Sequence, residues 1–247
     1  MISEKQFSEQ FSGFWNQCLP FLTPQVIEQM NLSATPMSDS HGCVAEPLAA
    51  TEDSANNDLV ADTGFGIFTA AKQAGKSVHS IRNPALLKRI TESAFERIKR
   101  LRNPEGKANM KHLRGLDDAM EIAVRLEDFF KSDGLGELVI QPRFKGCGIL
   151  DSCYGDLFMG STLYEVKCVE RNLRSIDIRQ VLAYCALNCE SRQFEIQEVC
   201  VVNPRRAISF KFDVEELAQK ASGKNSAELF HQIGDFLMNF ETIQRPS

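Results

Sequence analysis

The chain has 247 residues, 43% of them apolar and 25% charged, and a formal net charge of −5. That is enough to bury a core, as one elaborated domain or two small ones. No apolar run reaches the roughly 20 residues of a membrane helix, and Met1-Ile-Ser-Glu-Lys-Gln-Phe lacks a basic segment followed by an apolar core. These features lead us to expect a soluble, cytoplasmic protein whose acidic surface as a whole does not bind nucleic acid indiscriminately.

In residues 4–17, Phe7, Phe11, Phe14 and Trp15 fall at helical spacing, which predicts one amphipathic helix using its aromatic stripe for core packing. Pro20 and Pro24 bracket a break, and a short helix follows through Met30. Residues 32–58 are poor in large apolar side chains and rich in Ser, Thr, Asp and Asn, so a long, partly mobile loop is expected. From Leu59 to Ser77 the chain carries two glycine-bearing pieces, Gly64-Phe-Gly66 and Gly75-Lys-Ser77. The second lacks the glycine five residues earlier that a phosphate loop needs, since Ala70 stands there, so no nucleotide site is assigned.

Asn83-Pro84 opens a helix with Leu86, Leu87, Ile90, Phe95, Ile98 and Leu101 on its apolar side, ending at Asn103-Pro-Glu-Gly106. From Arg82 to Arg114 basic residues (Lys88, Arg89, Arg97, Lys99, Arg100, Arg102, Lys107 and Lys111 among them) outnumber acidic ones by about three to one. This band reads as a solvated helix face or as one wall of a phosphate-tracking groove. A further helix is predicted from Leu113 to about Lys131, closed by Ser132-Asp133-Gly134. Winding it places Glu127 inside the stripe of Leu116, Met120, Ala123 and Phe130, where a carboxylate needs a cation or donors.

Strands are expected at Glu137–Arg143, with a continuation through Phe144 to Leu150, and then in a hairpin. Asp156-Leu-Phe-Met enters a turn at Gly160-Ser161, and Thr162-Leu-Tyr-Glu-Val-Lys-Cys-Val leaves it. That register sets Asp156 across from Glu165, and alternation puts Lys167 on the Glu165 face, about 6–7 Å further on. Two opposed carboxylates are destabilising unless a cation lies between them. Asp151 competes for the same role but lies beyond the paired segment. A helix follows from Ser175, its expected N-cap, to about Asn188, with Asp177 in its first turn and Gln180 and Tyr184 one turn apart. A last strand, Glu195–Val202, ends at Arg205 and Arg206, which either contact phosphate or cap the sheet. One or two amphipathic helices complete the chain from Val214.

In this order, Asp156, then Glu165-Val166-Lys167, then Gln180-xxx-Tyr184 on the next helix resemble the PD-(D/E)xK nuclease superfamily, and the Gln-xxx-Tyr pair resembles its RecB-like branch. The likeness covers about residues 113–205, with Gly155 where the family name has proline. It implies an α/β (α+β) fold: a restriction-endonuclease-like core, in which helices flank a mixed β-sheet, with an N-terminal helical extension. The corresponding division is a helical region 1–112, a nuclease core 113–206 and C-terminal helices 207–247 packing on the core.

The resemblance further implies Mg²⁺, with Mn²⁺ able to substitute, held by Asp156, Glu165 and the Val166 carbonyl. Lys167 would position or deprotonate water, Gln180 and Tyr184 would orient the catalytic groups and DNA, and Glu127 would be aimed at the metal. The implied activity is DNA phosphodiester hydrolysis, as the nuclease subunit of a phage-defence or genome-maintenance assembly with a partner ATPase or helicase. The alternative is a catalytically silent DNA-binding or scaffolding subunit of the same fold, and RNA is a further possible substrate. His41, His79, His112 and His231 sit in unrelated contexts. Of the eight cysteines, Cys147, Cys153, Cys168, Cys185, Cys189 and Cys200 fall in predicted strands and helices and read as small buried hydrophobes, and the nearest pair, Cys185 and Cys189, is spaced for a helix turn and not for a zinc knuckle.

Overall fold

Ser3 starts the first helix by accepting the Gln6 N–H, while the Gln6 side chain accepts the Ser3 N–H. This computed structural model describes residues 1–39, 41–49, 54–101, 115–133 and 136–243. In chain order, α1 (Glu4–Gln10), α2 (Ser12–Cys18) and α3 (Pro24–Leu32) precede a two-residue strand β1 (Thr35–Pro36). Next come α4 (Ser54–Gln73), a 3-10 turn at Val78–Ser80, α5 (Pro84–Leu101) and α6 (Leu116–Asp133). The strands β2 (Leu138–Ile140), β3 (Arg143–Phe144), β4 (Cys153–Tyr154), β5 (Leu157–Met159) and β6 (Thr162–Val166) then lead into α7 (Ser175–Ser191). The chain finishes with β7 (Glu198–Asn203), β8 (Ile208–Asp213), α8 (Val214–Ser222) and α9 (Ser226–Ile243).

The main sheet is mixed, in the order β1-β8-β7-β6-β5-β2, with β6 parallel to β7 and every other pair antiparallel. Side-chain alternation splits its strands between two cores. Leu157, Met159, Tyr164, Cys200 and Val202 pack with Ile67, Phe68, Ile122, Leu126 and Phe130 of α4 and α6. Phe158, Leu163, Val199, Val201 and Phe210 pack on the other side with α7 and with Phe7, Trp15, Leu229 and Ile233. Helices therefore cover both faces. Helix α7 is enclosed by the sheet on one side and by α1 and α9 on the other, as its nearly all-round apolar surface requires.

Several expectations shift. The predicted 4–17 helix breaks at Phe11, which leaves helical geometry at ψ 46°; the aromatic stripe is core nonetheless, with Phe7 and Trp15 fully buried and Phe14 stacked on Phe236 at 3.9 Å. The 32–58 loop gives way to helix at Ser54. Its described part is tied to the sheet's end through Met37 N–H to the Ala207 carbonyl and Leu48 N–H to the Arg205 carbonyl. Gly64 and Gly66 lie inside α4: a Cβ on Gly64 would stand 2.7 Å from Ile122 Cγ2, so glycine lets α4 and α6 touch. The strand from Glu137 ends at Ile140 because Gln141 adopts a left-handed φ of +53° ahead of Pro142, which has no N–H for a ladder. Helix α7 is capped by Arg174, with Ser175 already its first helical residue. The strand expected to be last is followed by β8.

Candidate active site

The hairpin positions the site. Its ladder pairs Leu157 with Tyr164, Phe158 with Leu163 and Met159 with Thr162 across Gly160, whose φ of +61° suits a two-residue turn with glycine first. Continued by one step, that register sets Asp156 opposite Glu165. Asp156 Oδ2 accepts the Val166 N–H at 2.7 Å, which fixes the carboxylate against β6. From β6, Glu165 and Lys167 point toward α7. Lys167 Nζ donates to Glu165 Oε1 at 2.8 Å and to Gln180 Oε1 at 2.7 Å, and Gln180 Nε2 donates to the Tyr184 hydroxyl at 2.9 Å. The ammonium is thus aimed by a relay anchored in the core, since Tyr184 is 2% exposed.

The electrostatics of this cluster are unbalanced. Burial first, and then the neighbouring Glu165 charge, push the Asp156 carboxyl well above the usual carboxylate range, against the Val166 N–H and Lys167. Burial disfavours the Lys167 ammonium, but Glu165, with Asp156 and Asp177 behind it, outweighs that, so its pKa lies above the ordinary lysine value and the side chain is a cation. Burial and Glu165 likewise raise the Tyr184 phenol, which remains neutral. One ammonium faces two carboxylates. Two side-chain carboxylates, Asp156 and Glu165, and the Val166 carbonyl are hard oxygen donors of the kind that Mg²⁺ or Mn²⁺ takes, although among the described residues no group of three or more His, Cys, Asp or Glu side chains comes together.

No protein-family model, curated protein or solved structure matches the chain. The site therefore has to be read from its own residues.

Glu127, expected at the metal, is engaged elsewhere. It is 2% exposed, accepts the Ser77 hydroxyl at 2.8 Å and the Val78 N–H at 3.2 Å, and has Lys72 and Lys131 within 3.7 and 3.3 Å. Burial would raise its pKa, yet Ser77 and Lys131 overcome that and hold it below the ordinary value. These partners tie α6 to the 3-10 turn and the end of α4, and none of them is a residue of the Asp156 cluster. Asp151 is exposed, its N–H donating to the Ile2 carbonyl. Arg205 is 1% exposed and donates to the Ala49 carbonyl, while Arg206 donates to Asn172 Oδ1, so this pair caps the sheet's end. Of the basic band, Arg102, Lys107, Lys111 and Arg114, the break at Asn103–Gly106, His112 and Gly134 lie outside the described residues.

Two acids come to the site unannounced. Asp62 on α4 lines two cavities together with Asp156 and is paired with Arg97 of α5 at 3.0 Å. Glu4 on α1 lies within the field of Glu165 and Lys167, and burial, then Glu165, raise its pKa. The signal for Glu4 was the Ser3-xx-Gln6 capping pattern, which starts a helix that packs on α7.

Proposed function

We propose that this protein is a metal-dependent deoxyribonuclease of the PD-(D/E)xK type. The observation that carries the proposal is the joined set Asp156–Glu165–Lys167–Gln180: two apposed carboxylates and an ammonium locked toward them by a helix one connection away. The order α6-β2-β5-β6-α7-β7, with the hairpin antiparallel and β6 parallel to β7, supports a restriction-endonuclease-like core. When bound, a divalent cation supplies a water of lowered pKa and charge to set against the phosphate. Asp156 and Glu165 hold the place for that ion and are themselves held, by the Val166 N–H and Lys167 respectively. Lys167 is a cation at neutral pH, so it stabilises negative charge developing on the phosphate and orients the attacking water as a donor, in preference to removing its proton. Gln180 is a positioning residue. It accepts from Lys167 and donates to Tyr184, so it keeps the ammonium from swinging out to solvent. The test is incubation of linear and circular DNA with Mg²⁺ or Mn²⁺, comparing the parent protein with Asp156→Ala, Glu165→Ala and Lys167→Ala; equal cleavage by all four would remove the assignment.

A further inference from the structure

Two cavities meet at Asp156. The larger, of about 470 Å³, lies between α4, α5 and the end of β2 and is lined by Phe65, Arg89, Arg97 and Gln141. The smaller, of about 260 Å³, runs past Val166, Lys167, Cys168 and Val169. Three side chains, Asp62, Phe65 and Asp156, line both. The two cavities thus join at Asp156 with an aromatic ring beside it; Lys167 borders the smaller one.

The larger chamber is of a size that holds one drug-sized group, and the smaller is just below that range. Arg89 is exposed, and among the described residues it has no acidic partner, so it presents a guanidinium to whatever enters the larger chamber. Gln141 contributes an amide from a backbone held at φ +53°, a strained conformation for a residue other than glycine, with its N–H fixed to the Asp156 carbonyl at 2.9 Å. Phe65 contributes an aromatic ring to the lining at the junction. Stacking surface, guanidinium and amide donors are what an unpaired nucleotide takes, whereas in a duplex the base faces are covered.

We propose that the two chambers are consecutive nucleotide subsites flanking Asp156, so that together they accept a single nucleic-acid strand and exclude a duplex that has not been opened. The proposal rests on the nuclease reading for placing the scissile phosphate at Asp156. Phe65 stacks on the base next to that phosphate, and Arg89 holds the phosphate beyond it.

The test is fluorescence anisotropy in EDTA, where no bond is cut, with labelled oligothymidine and a blunt, fully paired duplex of the same length. The parent protein is compared with Phe65→Ala, Phe65→Leu and Arg89→Ala. The single strand is expected to bind at least ~10-fold more tightly than the duplex. Both Phe65 variants should weaken it about 10-fold, the loss of one stacked base. Phe65→Leu keeps the apolar volume, and its melting curve separates lost stacking from lost folding. Arg89→Ala should reduce the slope of log affinity against log salt by about 0.7, one phosphate on a single strand. Equal affinity for strand and duplex, or parent-like binding by properly folded variants, overturns the proposal. Strand preference without cleavage in Mg²⁺ removes the nuclease and leaves the subsites standing. Cleavage inside intact duplex at the single-strand rate keeps the nuclease and overturns the subsites.

Discussion

Glu127 is a buried carboxylate and Asp156 a half-buried one at the edge of two cavities, and their surroundings have opposite effects. Glu127 meets a hydroxyl, a backbone N–H and two ammonium groups, and its pKa falls below the ordinary value. Asp156 meets one N–H, a second carboxylate and an ammonium that is bonded to that second carboxylate, and its pKa rises well above the ordinary value. The first is a satisfied group that ties α6 to the turn after α4. The second is left short of positive charge beside two cavities, a deficit a folded protein keeps where an ion or substrate makes it up. An acid among apolar neighbours is thus informative only once its partners are counted.

The contrast can be broken by mutation, and the largest effect concerns chemistry. Asp156→Ala, Glu165→Ala or Lys167→Ala should each lower the rate of DNA cleavage by ~10²-fold or more. Glu127→Ala should leave cleavage per folded molecule unchanged below the melting range. It strands the buried Val78 N–H and the facing lysines, costing about 3 kcal/mol, or roughly 6–12 °C in melting temperature by calorimetry. If Glu127→Ala abolished cleavage without altering melting, the two roles would have to be exchanged.

Smaller effects sharpen the same comparison. Asp156→Asn keeps an acceptor for the Val166 N–H and removes the repelled charge, so in EDTA it should melt about 2–4 °C higher than the parent at neutral pH. The pH dependences run in opposite directions. Glu127, with a lowered folded pKa, stabilises fully above 4.5, and that contribution is lost as the pH falls below this value. Asp156, with a raised folded pKa, costs nothing below 3.8, and the cost accrues as the pH climbs toward its folded value. Urea unfolding of the parent, Asp156→Asn and Glu127→Gln across that range should show the advantage of Asp156→Asn shrinking toward acid, along with the deficit of Glu127→Gln. The smallest effect is expected at Gln141, where glycine relieves the left-handed backbone: a gain of up to about 1 kcal/mol, measured by the same unfolding curves, with weaker substrate binding.

The site was more legible in the sequence than the helices around it. Hairpin register is local: once Gly160-Ser161 is the turn, the opposition of Asp156 to Glu165 and the shared face of Glu165 and Lys167 follow from a period of two. Gln180 and Tyr184 were visible as a one-turn pair, and they do touch. Helix α4 was not predicted: its stretch was read only as two glycine-bearing pieces, and the role of Gly64 and Gly66, to admit Ile122 and Ile90 of neighbouring helices, is a fact of packing that no local pattern carries. Asp62 was missed with it. Glu127 was placed correctly on the buried stripe, but its partners Lys72, Ser77 and Val78 lie some fifty residues away, beyond the reach of a helical wheel. Strand β8 was an avoidable omission, since Ile208, Phe210 and Phe212 alternate cleanly.

The claim on which the account turns is that Asp156 and Glu165 together make a place for a divalent cation. Titration calorimetry with Mn²⁺ reaches it without any substrate. The account predicts saturable binding by the parent protein and by Glu127→Gln, abolished in Asp156→Asn and in Glu165→Gln. Binding that persists undiminished in the last two variants, or is lost in Glu127→Gln while its fold is intact, would contradict it.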